Sequence, residues 1–337
     1  MNELFEPVDL GKLTLPNLVV MSPMSRNRAA AGGLVTDLTV EYYTQRAAAG
    51  LIITEGTQPS VIGQGYVDSP GLHSQAQVAA WRKVTDAVHA RGGRIFAQLM
   101  HSGRVGHPCL YPDGALPVAP SAIPTGGRLY TGETLLDHPV PRPMTLADID
   151  ATVGDYAAAA RNAIAAGFDG VEVHGANGFL IHQFLCGSSN ARTDAYGGSV
   201  TNRIRFAVEV AGAVSDAIGP ERTGLRISPA HNVNGISERD SAEVYPALVR
   251  ALTPYHLAYL HIMEFGGRDI TRGIRALWPG ALLLNPHATA EEKVVTPESA
   301  LAVVREGLAD AVSLATMWLA NPDLIDRIKA GGPYNAA

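Results

Sequence analysis

The chain has 337 residues, 46% hydrophobic and 17% charged, enough apolar side chain to fill one large core, so a single domain over 1–337 is expected. A formal net charge of −6 and a pI near 6.0 provide no basic field for nucleic acid or an anionic membrane surface, which leaves a small-molecule substrate as the expected partner. Cys109 and Cys186 lie far apart without metal-ligand spacing, Met1–Leu10 carries three acidic residues and no apolar leader, and no apolar run approaches the ~18 residues of a membrane span. No disulfide framework, metal, secretion or membrane insertion is therefore expected, and the expected location is cytoplasmic; oligomeric state is left open by the sequence.

Short apolar runs alternate with longer amphipathic stretches, the pattern of βα units closing into a parallel barrel. The expected strands are Leu18–Ser22, Leu51–Thr54, Arg94–Leu99, Gly170–His174, Gly224–Ser228, Tyr255–His261, Ala281–Asn285 and Ala311–Leu314. Most are rich in Val, Ile and Leu, as strands covered on both faces should be. Helical periodicity follows, for example at Gln75–Arg91, Leu146–Ala166, Asn202–Ile218 and Pro297–Glu306, each closed by Gly or Pro. The fold class expected is α/β, a (β/α)8 TIM barrel. Between the third strand and its helix, residues 103–143 are dense in Pro and Gly, including Pro117, Pro120, Pro124, Gly126 and Gly127. That stretch reads as a long loop or small hairpin inserted at the carboxyl end of a strand, where barrels build active sites, and so as a cap.

Polar residues gather at or just after the strand ends: Ser25, Thr57, Gln98, His101, His174, Asn177, Arg226 and His261. Any one of them alone could serve the barrel rim. His174 and Asn177 are three apart, so a helical turn there would bring both side chains to the same space. Two converging donors could hold a carbonyl oxygen and stabilise the enolate-like charge formed when hydride reaches a conjugated β-carbon; a purely structural His–Asn contact is the other reading.

The segment GVEVHGANGFLIHQFL at Gly170–Leu185, followed by SSNARTDAYGGSVTNRIRF at Ser188–Phe206, resembles the central signature of the old yellow enzymes. So do MSPMSRNRA at Met21–Ala29, YYTQRAAAGLIITEGT at Tyr42–Thr57, FAQLMHSGR at Phe96–Arg104, VAPSAI at Val118–Ile123, LRISP at Leu225–Pro229 and LANPDL at Leu319–Leu324, in the family's order. The resemblance implies an FMN-containing barrel that passes hydride from NAD(P)H to flavin N5 and on to the C=C of an α,β-unsaturated carbonyl compound. It further implies that Pro23, Met24 and Ser25 run beside the flavin, that Gly56 and Gln98 contact its ring, and that Arg226 sets positive charge by N1 and O2. His174 and Asn177 become the substrate clamp, with Tyr66 and Met100 lining the substrate cavity.

The proton-donor position and the phosphate-binding end depart from the family's pattern, as does Met100, where Trp is usual. Phe179 stands where enone-reducing members usually carry the Tyr that protonates the substrate's α-carbon, a step typically worth ~10²–10⁴-fold. Water, His182, Tyr130 or Tyr66 would have to supply that proton; alternatively the reaction is a flavin-dependent oxidation, dehydrogenation or isomerisation without net alkene reduction. At the phosphate end, Asn285-Pro286-His287 and Leu314-Ala315-Thr316 replace a Gly-rich turn and the usual Phe-Gly-Arg. Pro offers no N–H and Thr no charge to a phosphate, so with Ala315 and Thr316 at the usual cofactor positions the alternatives are FMN held weakly, a flavin with another tail, or a barrel that has lost its flavin. His287, Lys293 and Arg268 are the candidates to compensate.

Overall fold

The computed structural model describes residues 1–289, 291–292 and 294–336, and Lys293 thus lies outside the described residues. Eight parallel strands close on themselves: β1 (Val19–Met21), β2 (Ile52–Thr57), β3 (Ile95–Leu99), β4 (Gly170–His174), β5 (Thr223–Ile227), β6 (Tyr259–Met263), β7 (Leu282–Asn285) and β8 (Ala311–Leu314), with β8 pairing back onto β1. Apart from the end of β6, every residue of these strands is buried, which is why their sequences run apolar without the alternation of a half-exposed sheet. Helices cover the outside: α1 (Asp37–Thr44), α2 (Gln75–His89), α3 (Leu146–Ala165), α4 (Val200–Ile218), α5 (Ser241–Leu252), α6 (Arg268–Leu277) and α7 (Pro297–Arg305). Their starts are encoded locally, as at α2 and α3, where Ser74 with Gln77 and Thr145 with Asp148 form reciprocal capping boxes.

The sixth strand begins four residues later than its apolar content suggests. Thr253–Tyr255 forms a 3-10 turn around Pro254, and His256 closes it with φ of 52°, so extended backbone resumes only at Tyr259. The 103–143 insertion is a looped element with a small antiparallel hairpin, Arg128–Tyr130 against Leu135–Asp137, and a parallel bridge of Val118–Ala119 to Arg142–Pro143. It sits at the carboxyl end of the barrel. The buried guanidinium of Arg104 donates to the carbonyls of Ile123 in the insertion and Asn234 beyond β5, tying the two together.

Register sets the site. Glu172 lies opposite Gln98, and His174, Arg226 and His261 fall side by side on β4, β5 and β6. Between β2 and β3 the register shifts from Ile53 to Gly56, an irregularity that brings Gly56 opposite Gln98.

Candidate active site

A cleft of about 250 Å³ opens at the carboxyl ends of β1 to β5. Pro23, Ser25, Gly56, Tyr66, Gln98, Met100, His174, Asn177, Phe179 and Arg226, all expected from sequence, line it together. Met24 packs against the main core instead, while Ala315 and Thr316 follow β8, outside the cleft lining. One wall is apolar: Met100, Val105 and Phe179 form a small cluster, separate from the main core, against which Tyr66 packs. Phe179 stands edge-on to both His174, with ring centroids 5.0 Å apart, and Tyr66, at 6.3 Å.

The clamp reaches convergence by a different route from a helical turn. Asn177 has φ of 56° and Gly178 follows at 77°, so the chain reverses through the left-handed region, which Asn tolerates better than most residues. The backbone N–H of Asn177 donates to Ser228 Oγ at 2.8 Å, and its carbonyl accepts from Asn234 Nδ2 at 2.9 Å. His174 is fixed electronically as well as sterically. Burial, then the charge of Arg226, drives its pKa well below the ordinary value, so the ring is neutral. The Ala176 N–H donates to Nδ1 at 3.2 Å, which makes Nδ1 the acceptor and places the single ring proton on Nε2.

Beneath the clamp lies a buried polar column. Glu172 accepts from Gln98 Nε2 at 2.8 Å, Tyr259 Oη at 3.1 Å and His261 Nδ1 at 2.7 Å, and His261 Nε2 accepts from Ser313 Oγ at 2.8 Å. Burial opposes the Glu172 charge, but His261, Arg226 and Gln98 outweigh it and hold its pKa below the usual value. Burial keeps His261 neutral. Arg226, 4% exposed, has Nε without a partner and only a long 3.5 Å contact from Nη2 to Asn285 Oδ1. A buried guanidinium so poorly satisfied is poised for an anionic or carbonyl-bearing ligand.

Other sequence candidates have different places. Thr57 bonds the carbonyl of Glu55, His101 accepts from Gly103 N–H, and His261 belongs to the buried column, so these three serve the scaffold. Of the proposed proton donors, His182 is fully buried and bonded to Glu238, and Tyr130 lies on the exposed hairpin with its hydroxyl on Gly132 O. Tyr66 alone of the three lines the cleft. Sequence reading missed His231, Val233 and Asn234 in the loop after β5, which close the cleft's far side, and Glu172 beneath it. A lone Glu in the apolar run GVEVH was a signal for the latter.

Residues 3–335 match the NADH:flavin oxidoreductase / NADH oxidase family. The chain belongs to that family. It is 42% identical over 98% of its length to a probable flavin mononucleotide-dependent alkene reductase of Leishmania infantum, of which 92% is covered. The old yellow enzyme homologue from Zymomonas mobilis superposes with a TM-score of 0.93 at 38% identity, covering 99% of this chain and 94% of that one. Morphinone reductase in complex with tetrahydroNAD gives 0.92 at 40% identity, covering 98% and 92%. The chain is thus an FMN-dependent oxidoreductase of the old yellow enzyme type, and no helix among the described residues is long and apolar enough to cross a membrane.

The ring end of the cleft fits a flavin. Among the described residues Arg226 Nε has no partner, and Gln98, whose amide nitrogen donates to Glu172, lines the cleft beside it. Gly56 lines the cleft with bare backbone, and a Cβ there would collide with Met100, 2.6 Å from its Sδ. The phosphate end is differently furnished. Glu264, 2% exposed, takes both Arg268 Nε and Nη2 at 2.8 and 2.9 Å, Thr271 Oγ1 at 2.9 Å and the His287 N–H at 3.1 Å. Arg268 and the His287 amide are therefore committed to an internal carboxylate.

Proposed function

We propose that this oxidoreductase takes hydride from a nicotinamide and delivers it to the β-carbon of an α,β-unsaturated ketone or aldehyde small enough for the cleft. Bound FMN supplies the hydride-carrying chemistry. The observation that carries the reading is the pairing of a tautomer-fixed His174 Nε2–H with the adjacent Asn177 amide, in a cleft that also carries an apolar wall. His174 and Asn177 hold the substrate carbonyl and stabilise charge developing on its oxygen. Phe179 and Met100, backed by Val105, seat the hydrocarbon skeleton and exclude water. Tyr66 gives the α-carbon its proton: it lines the cleft, and burial raises its phenol pKa despite a side-chain hydrogen bond with Asn234, so the proton is present at neutral pH. Pro23, Ser25, Gly56, Gln98 and Arg226 hold the flavin ring, the last by its charge near N1 and O2. The tetrahydroNAD complex of morphinone reductase supports a nicotinamide as donor. Free thiols at Cys109 and Cys186 suit the cytoplasm.

The test is anaerobic. NADPH should bleach the flavin absorbance of the loaded enzyme, and cyclohex-2-enone should restore it with formation of cyclohexanone. Bleaching without recolouring would sink net alkene reduction and favour the flavin-dependent oxidation or isomerisation suggested by Phe179.

A further inference from the structure

His231 is a histidine in the cleft with no part in the scheme above. Its Nδ1 lies 3.2 Å from Asn177 Oδ1, and its ring stacks on Phe265 with centroids 4.4 Å apart and planes 33° from parallel. The loop is built to hold it there. Ala230, immediately before it, has φ of 61°, a left-handed conformation that costs an alanine ~1 kcal/mol and persists only where its surroundings impose it. The imposing group is Glu238, which accepts from the Ala230 N–H at 2.7 Å and is itself held by His182 and Tyr245.

We propose that His231 is a positioning residue that sets the orientation of the Asn177 amide. A primary amide presents an acceptor at one end and donors at the other, and a rotation of its plane by half a turn exchanges them. Toward a substrate carbonyl only the Nδ2 end is useful; the Oδ1 end would repel. The neighbours of Asn177 already bind its backbone N–H and carbonyl, which fixes the residue but not the amide. His231 Nδ1–H donating to Oδ1 removes that freedom and leaves Nδ2 turned to the ligand. Both members of the clamp then have their donors chosen by a neighbour, His174 through the Ala176 amide and Asn177 through His231. The inference rests on the clamp reading, and the following experiment separates the two.

Binding of cyclohexanone, a carbonyl ligand without the reducible bond, is measured on FMN-loaded protein through the perturbation of flavin absorbance. His231→Phe keeps a ring on Phe265 and removes the donor; it should weaken binding about tenfold, whereas His231→Gln, which can donate, should stay within about threefold of the parent. In an Asn177→Ala background, His231→Phe should add no further loss, because the group it orients is gone. Flavin content and thermal midpoint confirm folding, and His231→Leu replaces the Phe variant should that variant not retain flavin. Parent-like binding in the donor-less variant that retains flavin, or losses that multiply in the double variant, would overturn the positioning role while leaving the clamp intact. Parent-like binding in Asn177→Ala would overturn the clamp reading itself.

Discussion

If Tyr66 is the proton donor, exchanging the aromatic residues on the cleft wall should move the function from one ring to the other. Tyr66 and Phe179 face each other edge-on with centroids 6.3 Å apart, and Phe179 also flanks His174 at 5.0 Å, so a phenol on either ring can reach a substrate held by the clamp. Removing the donor in Tyr66→Phe leaves the apolar wall intact and forfeits general-acid assistance of ~10²–10⁴-fold, about 3–5 kcal/mol of barrier. Adding Phe179→Tyr should restore most of it. The assay is stopped-flow recolouring of the anaerobically reduced enzyme by cyclohex-2-enone, in H2O and D2O. The bleaching half-reaction with NADPH, which needs no such proton, should be within about twofold of the parent in every variant, and this separates a lost proton donor from a damaged flavin site. A Tyr66→Phe enzyme that recolours at the parent's rate would refute the assignment and point to solvent as the proton source.

Further outcomes follow from particular contacts. Thr316→Arg returns a guanidinium to the end of β8 and should tighten FMN by about tenfold, in line with the 1.5–3 kcal/mol of a hydrogen bond to a charged group, while leaving riboflavin affinity unchanged; equal gains for both flavins, read by fluorescence quenching, would show that the arginine does not reach the phosphate. Gly56→Ala sets a Cβ 2.6 Å from Met100 Sδ, so the flexible thioether must swing into the cleft; KM for cyclohexenone should rise several-fold, and Met100→Ala added to it should restore KM if that displacement is the cause. His101 is fully buried, and burial lowers its pKa to about 3. Its folded form refuses a proton that the unfolded chain accepts below pH 6.5, so the associated stability is present above pH 6.5 and is lost as pH falls, by about 2 kcal/mol at pH 5. Urea unfolding at pH 7 and 5 should therefore show a smaller drop in His101→Asn than in the parent, and equal drops would contradict the shift.

The barrel was legible because strands such as β1 (Val19–Met21) and the Leu282–Leu284 stretch of β7 are continuous apolar runs, and burial on both faces is what such runs encode. β6 was misplaced at its start because Tyr255 and Leu257 supply apolar content while Pro254 and the left-handed His256 decide the backbone. His174, Gln98 and Arg226 could be found since strand ends in this fold point into the site. His231 could not, because nothing in SPAHNVNGI indicates that Ala230 turns left-handed: that conformation is imposed by Glu238, eight residues on, with His182 and Tyr245 behind it. The commitment of Arg268 to Glu264 was equally hidden, being set by how the segment after β6 folds beside β7.

The same contrast explains the uneven character of the cofactor site. At the ring end, the polar groups are offered by strands whose register is fixed by barrel closure, and the charge of Glu172 offsets part of the burial cost of Arg226 while Nε is left unsatisfied. Removing Glu172 would take away the charge that favours the buried Arg226 cation, so little change is tolerated at either residue. At the expected phosphate end the donors belong to the first turn of α6 and the segment after β7, and an internal carboxylate, Glu264, already satisfies Arg268, Thr271 and the His287 amide. A loop end that is complete in itself can lose its glycines and its arginine without unfolding. On the proposed flavin placement the ring end cannot, because the unsatisfied Nε of Arg226 would be left without its partner.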